Sequence, residues 1–450
     1  MKVRKPGRKA ENIFKGHEIL KETRDNINMK KIVTVIAFIL IISSGAKADE
    51  VIKKGELLDM DRCIGIALKK QPNIVAAKNT VRVNQSKVGG SKASYYPQID
   101  LTSGYSRTSP VSRTDHNSSD QYTGSATLKQ NIYDFGKTST QVDIQNLNLD
   151  SSKSDLANVT AQIILNVKQS YYGVLQAKKN RDVADETVKQ FQLHLEQAKG
   201  FYEVGTKPKF DLTKAGVDLS NSRLNLIKAE NSLRLAVVTL NNAIGVPDAP
   251  EYTIEDNLSF LKSGIVFNEA IERAYKNRQD LTSLVFKRQA AEKSVKLAET
   301  GYYPVLTGNA AYNRSGEKFP LGEGWNAGVT LSFPIFSGFL TKYQVEEAKA
   351  NLDVLKANEE LLKQNIFLEV QQIYLNLQEA EERIPVAELA VKQAEENLEL
   401  ANGRYAAGVG HPIEVTDAQV GLINSKLSHI QALYDYKVAL ANLEKAIGTK

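Results

Sequence analysis

An α+β membrane protein with an internally duplicated chain is predicted by three observations. A unit of about 200 residues is written twice in the 450-residue chain. Each copy holds two strand-length segments that alternate apolar with small polar residues. Long stretches with apolar and small residues at three-four spacing flank those segments. The predicted chain therefore carries four transmembrane β-strands and long coiled-coil helices. Its parts are an N-terminal extension and signal peptide over 1–48, a first repeat over 49–245, a linker over 246–266 and a second repeat over 267–450.

The extension comes first. Residues 32–42 are apolar except for Thr34, follow Lys30 and Lys31, and end in the small residues of Ser43-Ser44-Gly45-Ala46-Lys47-Ala48. This is the build of a secretory signal, beginning near Met29 and cut after Ala48. The apolar run is too short to cross a bilayer as a helix, which needs about 20 residues. The extension also explains the charge. Of the net +6, residues 1–48 contribute 11 basic and 4 acidic side chains, leaving 47 basic and 48 acidic in the body. That body has no basic footprint for nucleic acid.

The duplication is read by shifting the chain on itself. At a shift of 203, Val167, Gln169, Tyr171, Tyr202, Gly205, Ala215 and Gly245 recur as Val370, Gln372, Tyr374, Tyr405, Gly408, Ala418 and Gly448. Upstream the shift is 207, so Tyr95-Tyr96-Pro97 recurs as Tyr302-Tyr303-Pro304, and the first copy has the longer loop between its strands. Each copy reads helix, two strands, very long helix, turn, helix.

The strands are expected near 97–108, 120–133, 304–314 and 324–335. In the last, Trp325, Ala327, Val329, Leu331 and Phe333 alternate with Asn326, Gly328, Thr330 and Ser332. One apolar and one small polar face mean different solvents on the two sides, and about ten residues span a bilayer when tilted. Trp325 is the candidate interface aromatic. In the helices, Leu212, Ala215, Leu219, Ser222, Leu226, Ala229, Leu233, Ala236, Leu240 and Ala243 form a seam of the kind that packs knobs into holes. No proline interrupts the stretch from Lys137 to Tyr202, whereas Pro385 falls inside its counterpart and predicts a kink or local unwinding there.

Catalytic chemistry is missing. One cysteine, Cys63, excludes an intramolecular disulfide or a Cys-based zinc site, and the five histidines form no metal signature. Asn131-Ile-Tyr-Asp-Phe-Gly-Lys-Thr138 lacks the first glycine of a phosphate loop. No enzyme, cofactor or metal site is expected. Four strands cannot stay open in lipid, where unpaired edges cost several kcal/mol per group, nor close around a pore alone, since small barrels need about eight. Copies of the chain must share a barrel; two, three or four of them satisfy the arithmetic equally.

The duplicated Tyr-Tyr-Pro entry, the Asn131-Ile-Tyr-Asp-Phe-Gly136 exit and the turn Tyr405-Ala-Ala-Gly-Val-Gly-His-Pro-Ile-Glu-Val-Thr-Asp-Ala418 resemble the TolC family of bacterial outer-membrane efflux proteins over residues 56–448. The resemblance implies a homotrimer with a 12-stranded β-barrel in outer-membrane lipid on an α-helical barrel that reaches through the periplasm. It also implies a periplasmic adaptor and an inner-membrane pump or ABC exporter as partners, in tripartite efflux or type I secretion. It places the gate at the periplasmic tip, with Glu414 and Asp417 matching the constriction acids and Asp211 matching an acid that holds the closed state. A family member carries a basic residue where this chain has Gly410, so that link is lost, and Lys207, Lys209 and Lys214 are expected to pair with Glu414 or Asp417 instead. Gly205, Thr206, Gly408 and Val409 are the adaptor-docking candidates. A soluble periplasmic coiled-coil adaptor or scaffold is the alternative, although the compact β-rich halves of an adaptor are not found.

Overall fold

The computed structural model describes residues 52–109 and 118–449. The signal peptide and leader, and residues 110–117 of the first strand-to-strand loop, lie outside them. The chain divides into units over residues 1–54 and 55–450, and all that follows concerns the second.

Each copy opens with two helices where the sequence pattern indicates one. In the first copy α1 (Met60–Lys70) gives way at Gln71 to α2 (Pro72–Lys92), because proline tolerates a helix start but not an interior. The second copy breaks without proline. There α5 (Phe267–Asn277) meets α6 (Gln279–Glu299) at Arg278, whose buried guanidinium binds Asp280 and Glu369. Gln71, at the matching position, spends its side-chain amide on the carbonyls of Asn242 and Ala243 at 3.1 and 3.0 Å.

Strands β2 (Gln98–Thr108), β3 (Ser119–Tyr133), β5 (Val305–Gly316) and β6 (Gly322–Ser332) form one antiparallel sheet in the order β2-β3-β5-β6. Register sorts the side chains by period two. Leu101 lies opposite Ala126, Ala126 opposite Tyr312, and Tyr312 opposite Trp325; Ile99, Leu128, Ala310 and Ala327 form a parallel row. The other face holds Thr102, Ser125, Asn313 and Asn326, with Ser125 and Asn313 side chains 2.7 Å apart. A bulge between Asn131 and Tyr133 tucks Ile132 against Gly308, where an added Cβ would lie 3.1 Å from Ile132 Cδ1.

Long helices α3 (Lys137–Glu203) and α7 (Leu340–Ala406) leave the sheet, each 67 residues or about 100 Å long. Both start from left-handed residues, Phe135-Gly136 and Gly338-Phe339. Asp134 accepts from the Thr138 backbone N–H at 2.9 Å, and Ser337 and Thr341 occupy the matching places in the second copy. Of the kink or local unwinding expected at Pro385, the unwinding does not occur: α7 passes through it as helix. The packing of Leu377, Ala380, Ile384 and Ala387 into one buried cluster with Tyr436 and Leu443 holds the helix on both sides of the proline.

Shorter helices α4 (Lys209–Ile244) and α8 (Pro412–Ala446) return along the long ones. The helices form a layer: α2 and α4 lie against α3, α6 and α8 lie against α3 on its other side, and α7 lies beyond them. The predicted seam of α4 is buried at Ala215, Leu219, Ser222 and Leu240. A belt crosses the middle. Two-residue strands β1 (Leu57–Leu58) and β4 (Thr253–Ile254) pair in parallel, and Tyr171 Oη donates to the Glu255 carbonyl at 2.7 Å. No helix among the described residues is long and apolar enough to cross a membrane.

Candidate functional site

Two features of this frame bear on function: the open sheet and the helical tip. The sheet's apolar face has no partner among the described residues; Leu101 is 84 % and Trp325 79 % exposed. Aromatics gather at both ends of it. Toward the loop end Tyr105, Tyr122 and Phe319 form a ring cluster and Tyr312 pairs with Trp325 across the strands, while Tyr133, Phe135 and Tyr303 form a cluster at the helix end. An apolar band between two aromatic rows fits hydrocarbon between two interfaces. Both edges, β2 and β6, lack a neighbour in the sheet.

The helix layer repeats that condition. Outer helix α7 exposes Val354, Leu361, Leu368, Leu375 and Leu389, which keep a seven-residue register broken only at Glu382. At the opposite edge α4 exposes Val217, Leu224, Ile227, Leu235 and Val238. A heptad stripe with nothing on it is half of a coiled-coil contact.

At the far end of the helices two glycine-centred turns reverse the chain. Gly205 and Gly408 sit at φ +76° and +78°, where a Cβ would be strained. Thr206 N–H donates to the Phe201 carbonyl at 3.0 Å, and Val409 N–H to the Arg404 carbonyl at 3.1 Å, so both turns satisfy the carbonyls that the helix ends leave over. All four docking candidates, Gly205, Thr206, Gly408 and Val409, are exposed, with Val204 and Phe210 beside them.

The two hairpins meet around Tyr405, which is buried. Its ring lies 5.5 Å from that of Phe201 and 5.3 Å from that of His194, and Lys207 Nζ stands 5.5 Å from the ring centre. Leu398, Ala401, Val415, Ala418 and Leu422 complete this core. Burial first, and the nearby Asp211 carboxylate second, push the Tyr405 phenol up. Asp211 is itself buried in the first turn of α4, a favourable place for an acid. Glu414 is half-buried in the first turn of α8 and Asp417, one turn on, is exposed.

The lysine pairing read from the sequence is not what one chain contains. Among the described residues no ion pair joins Lys207, Lys209 or Lys214 to Glu414 or Asp417. Lys214 Nζ lies 2.5 and 2.6 Å from the two carboxylate oxygens of Asp218, four residues on along its own helix, and Thr416 adds a hydroxyl at 3.3 Å. Glu414 takes Arg404 instead, Nε to Oε2 at 3.2 Å. Gly410 cannot host the missing cation as the turn stands, since a Cβ there would lie 2.9 Å from Arg404 C and Tyr405 N. Nothing local in the sequence marks Arg404, Asp218 or His194 as tip residues; only the Lys214–Asp218 spacing signals its pair in advance.

An amphipathic open sheet set on helices about 100 Å long defines a class, the outer-membrane duct that continues into the periplasm. Residues 63–246 and 270–449 match the family described as Outer membrane efflux protein, and the chain belongs to it. Outer membrane protein TolC of Vibrio cholerae is 25 % identical over 376 residues, covering 80 % of this chain and 84 % of the relative. Outer membrane protein TolC of Escherichia coli is 23 % identical over 385 residues, 81 % of this chain and 76 % of the relative. Among solved structures, CusC superposes with a TM-score of 0.78 at 17 % identity, covering 91 % of this chain and 99 % of that one. VceC of Vibrio cholerae gives 0.76 at 19 % identity, with 87 % and 96 % covered. The chain is an outer-membrane exit duct of efflux or secretion, a conduit and not an enzyme. The soluble adaptor alternative has no support among these relatives.

Proposed function

We propose that three copies close one barrel of twelve strands over one helical barrel, with a passage gated at the tip. The supporting observation is that both edges of the layer are unfinished at every level: β2 and α2–α4 on one side, β6 and α7 on the other. Joining β6 of one copy to β2 of the next satisfies the free backbone groups and brings the α7 stripe to the α4 stripe in the same step. The apolar face then meets lipid, and the face of Thr102, Ser125, Asn313 and Asn326 lines water.

The tip closes the passage. Glu414 and Asp417 project as a ring of carboxylates, Asp211 and Tyr405 hold neighbouring hairpins together, and Lys207, Lys209 and Lys214 are cations available to the carboxylates of an adjacent copy. A periplasmic adaptor seats on Gly205, Thr206, Gly408 and Val409, and an inner-membrane pump or ABC exporter supplies cargo and energy. Trp325 anchors the outer interface. Purified protein should migrate as a heat-modifiable trimer, and Glu414→Gln with Asp417→Asn should raise single-channel conductance severalfold. A lone chain without channel activity overturns the proposal.

A further inference from the structure

We infer that His194 is a gating residue of the tip: as a neutral ring it clamps the hairpin of α3 and α4 onto Tyr405, and as a cation it releases it. The inference rests on the reading of the tip as a gate.

His194 lies on α3 about three turns before Gly205, is 7 % exposed, and sets its ring 5.3 Å from that of Tyr405, tilted by 51°. Its Nδ1 is buried with no hydrogen-bond partner, and neither has the Tyr405 hydroxyl on the opposing helix. Buried polar atoms are nearly always satisfied, and two orphans on the two sides of one contact mark an interface that is held by packing and is easily tipped. The contact joins the first hairpin to the second, since Tyr405 sits in the core with Val415 and Ala418 of α8.

Around the ring, the carboxylate that would attract an imidazolium most strongly already holds a cation. From α4, Asp211, Lys214 and Asp218 act on it; from α7 comes Tyr405; from the turn, Lys207 caps the Tyr405 ring. From α8, Thr416 takes part through its hydroxyl on Asp218. Asp218 is the strongest attraction, but both of its oxygens hold the Lys214 ammonium and one also holds Thr416. Lys214 repels a second cation. Burial, above all, pushes the imidazole below its usual value.

The direction follows from linkage. A hydrated histidine titrates near about 6.5, and the packed ring only at lower pH, so protons favour the arrangement in which the ring is wet. The packed tip is fully favoured above the ordinary histidine value and loses ground as pH falls below it. Acidification therefore parts the hairpins, in a window above that in which ordinary carboxylates take up protons.

The test is single-channel conductance of the full-length protein in planar bilayers between pH 7.5 and 5.5. The wild type should open at least about threefold more at the lower pH, since one pH unit past the midpoint is worth up to about tenfold. His194→Phe, which keeps a packed ring, and His194→Gln should both be flat. Heat-modifiable migration verifies that each variant is assembled. A retained pH response in either assembled variant, or a flat wild type, overturns the role of His194. Glu414→Gln and Asp417→Asn separate the two readings. If they raise conductance while His194→Phe keeps its pH response, the gate stands and the histidine is dismissed. If they change nothing, the gate reading itself falls. Exchange of the imidazole C2 hydrogen, read by mass spectrometry, needs no gate: a midpoint well below that of an exposed histidine is expected, and an ordinary midpoint overturns the inference.

Discussion

Arg404 Nε stands 3.2 Å from Glu414 Oε2, joining the last turn of α7 to the first turn of α8 across the second tip reversal. Both side chains are substantially exposed, so the pair contributes little to stability; exposed pairs are worth about 0.2–1 kcal/mol. The guanidinium instead offsets the field that the carboxylate sets at the tip. Arg404→Gln should leave thermal unfolding nearly unchanged and shift the open fraction of reconstituted channels by about two- to fivefold, with the change shrinking at high salt. Paired recordings at 0.1 and 1 M salt test both parts. A salt-independent change would mean that Arg404 acts through packing.

Val329 and Thr330 are neighbours in β6 that face opposite ways, Val329 opposite Gly308 and Thr330 opposite Thr307. An arginine at the lipid-facing position should cost about 2–4 kcal/mol and one at the lumenal position far less. Val329→Arg should therefore lose folded barrel in outer-membrane fractions while Thr330→Arg assembles and alters conductance. Equal yields would reverse or abolish the assignment of faces.

The exposed stripe on α7 supplies a test of assembly apart from the strands. Leu361→Asp with Leu375→Asp puts like charges at two seam positions, where apolar burial is worth about 1.5–3 kcal/mol per side chain. Monomer should accumulate at the expense of the heat-resistant oligomer, with helix content by circular dichroism retained. Undiminished oligomer would show that the stripe faces solvent.

Arg278 ties the break between α5 and α6 to α7. Burial works against the carboxylates of Asp280 and Glu369, yet hydrogen bonds from Arg278 hold both below their usual range. Stability from this network is present above the ordinary carboxylate value of about 4 and is lost as pH falls through the depressed ones. Arg278→Met should cost on the order of 3 kcal/mol at neutral pH and flatten the acid limb of a melting-temperature profile. An unchanged profile would exclude the ion pairs as its source.

Much of this layout was legible in residue order because periodicity is local. Spacing alone marks Ala215, Leu219 and Ser222 as a seam, and alternation places Trp325 and Leu331 on one face. Features set by distant partners were not legible. The helix break at Arg278 has no proline and depends on Glu369, far along the chain. Strands β1 and β4 are two residues each, too short to carry a period. That α7 stays helical through Pro385 depends on packed neighbours that cannot be read from its own sequence. At the tip, Arg404 and Glu414 are ten residues apart and meet only because Gly408 turns the chain.

A ring made of unfinished layers has a genetic corollary. In the ring proposed above, a copy faulty along one edge leaves its seam with the next copy open, and the ring has no way to route around it. When sound and damaged chains are made together, intact ducts should fall as a power of the sound fraction rather than in proportion to it, so an edge-breaking allele such as one on the α7 stripe acts dominantly over the wild type.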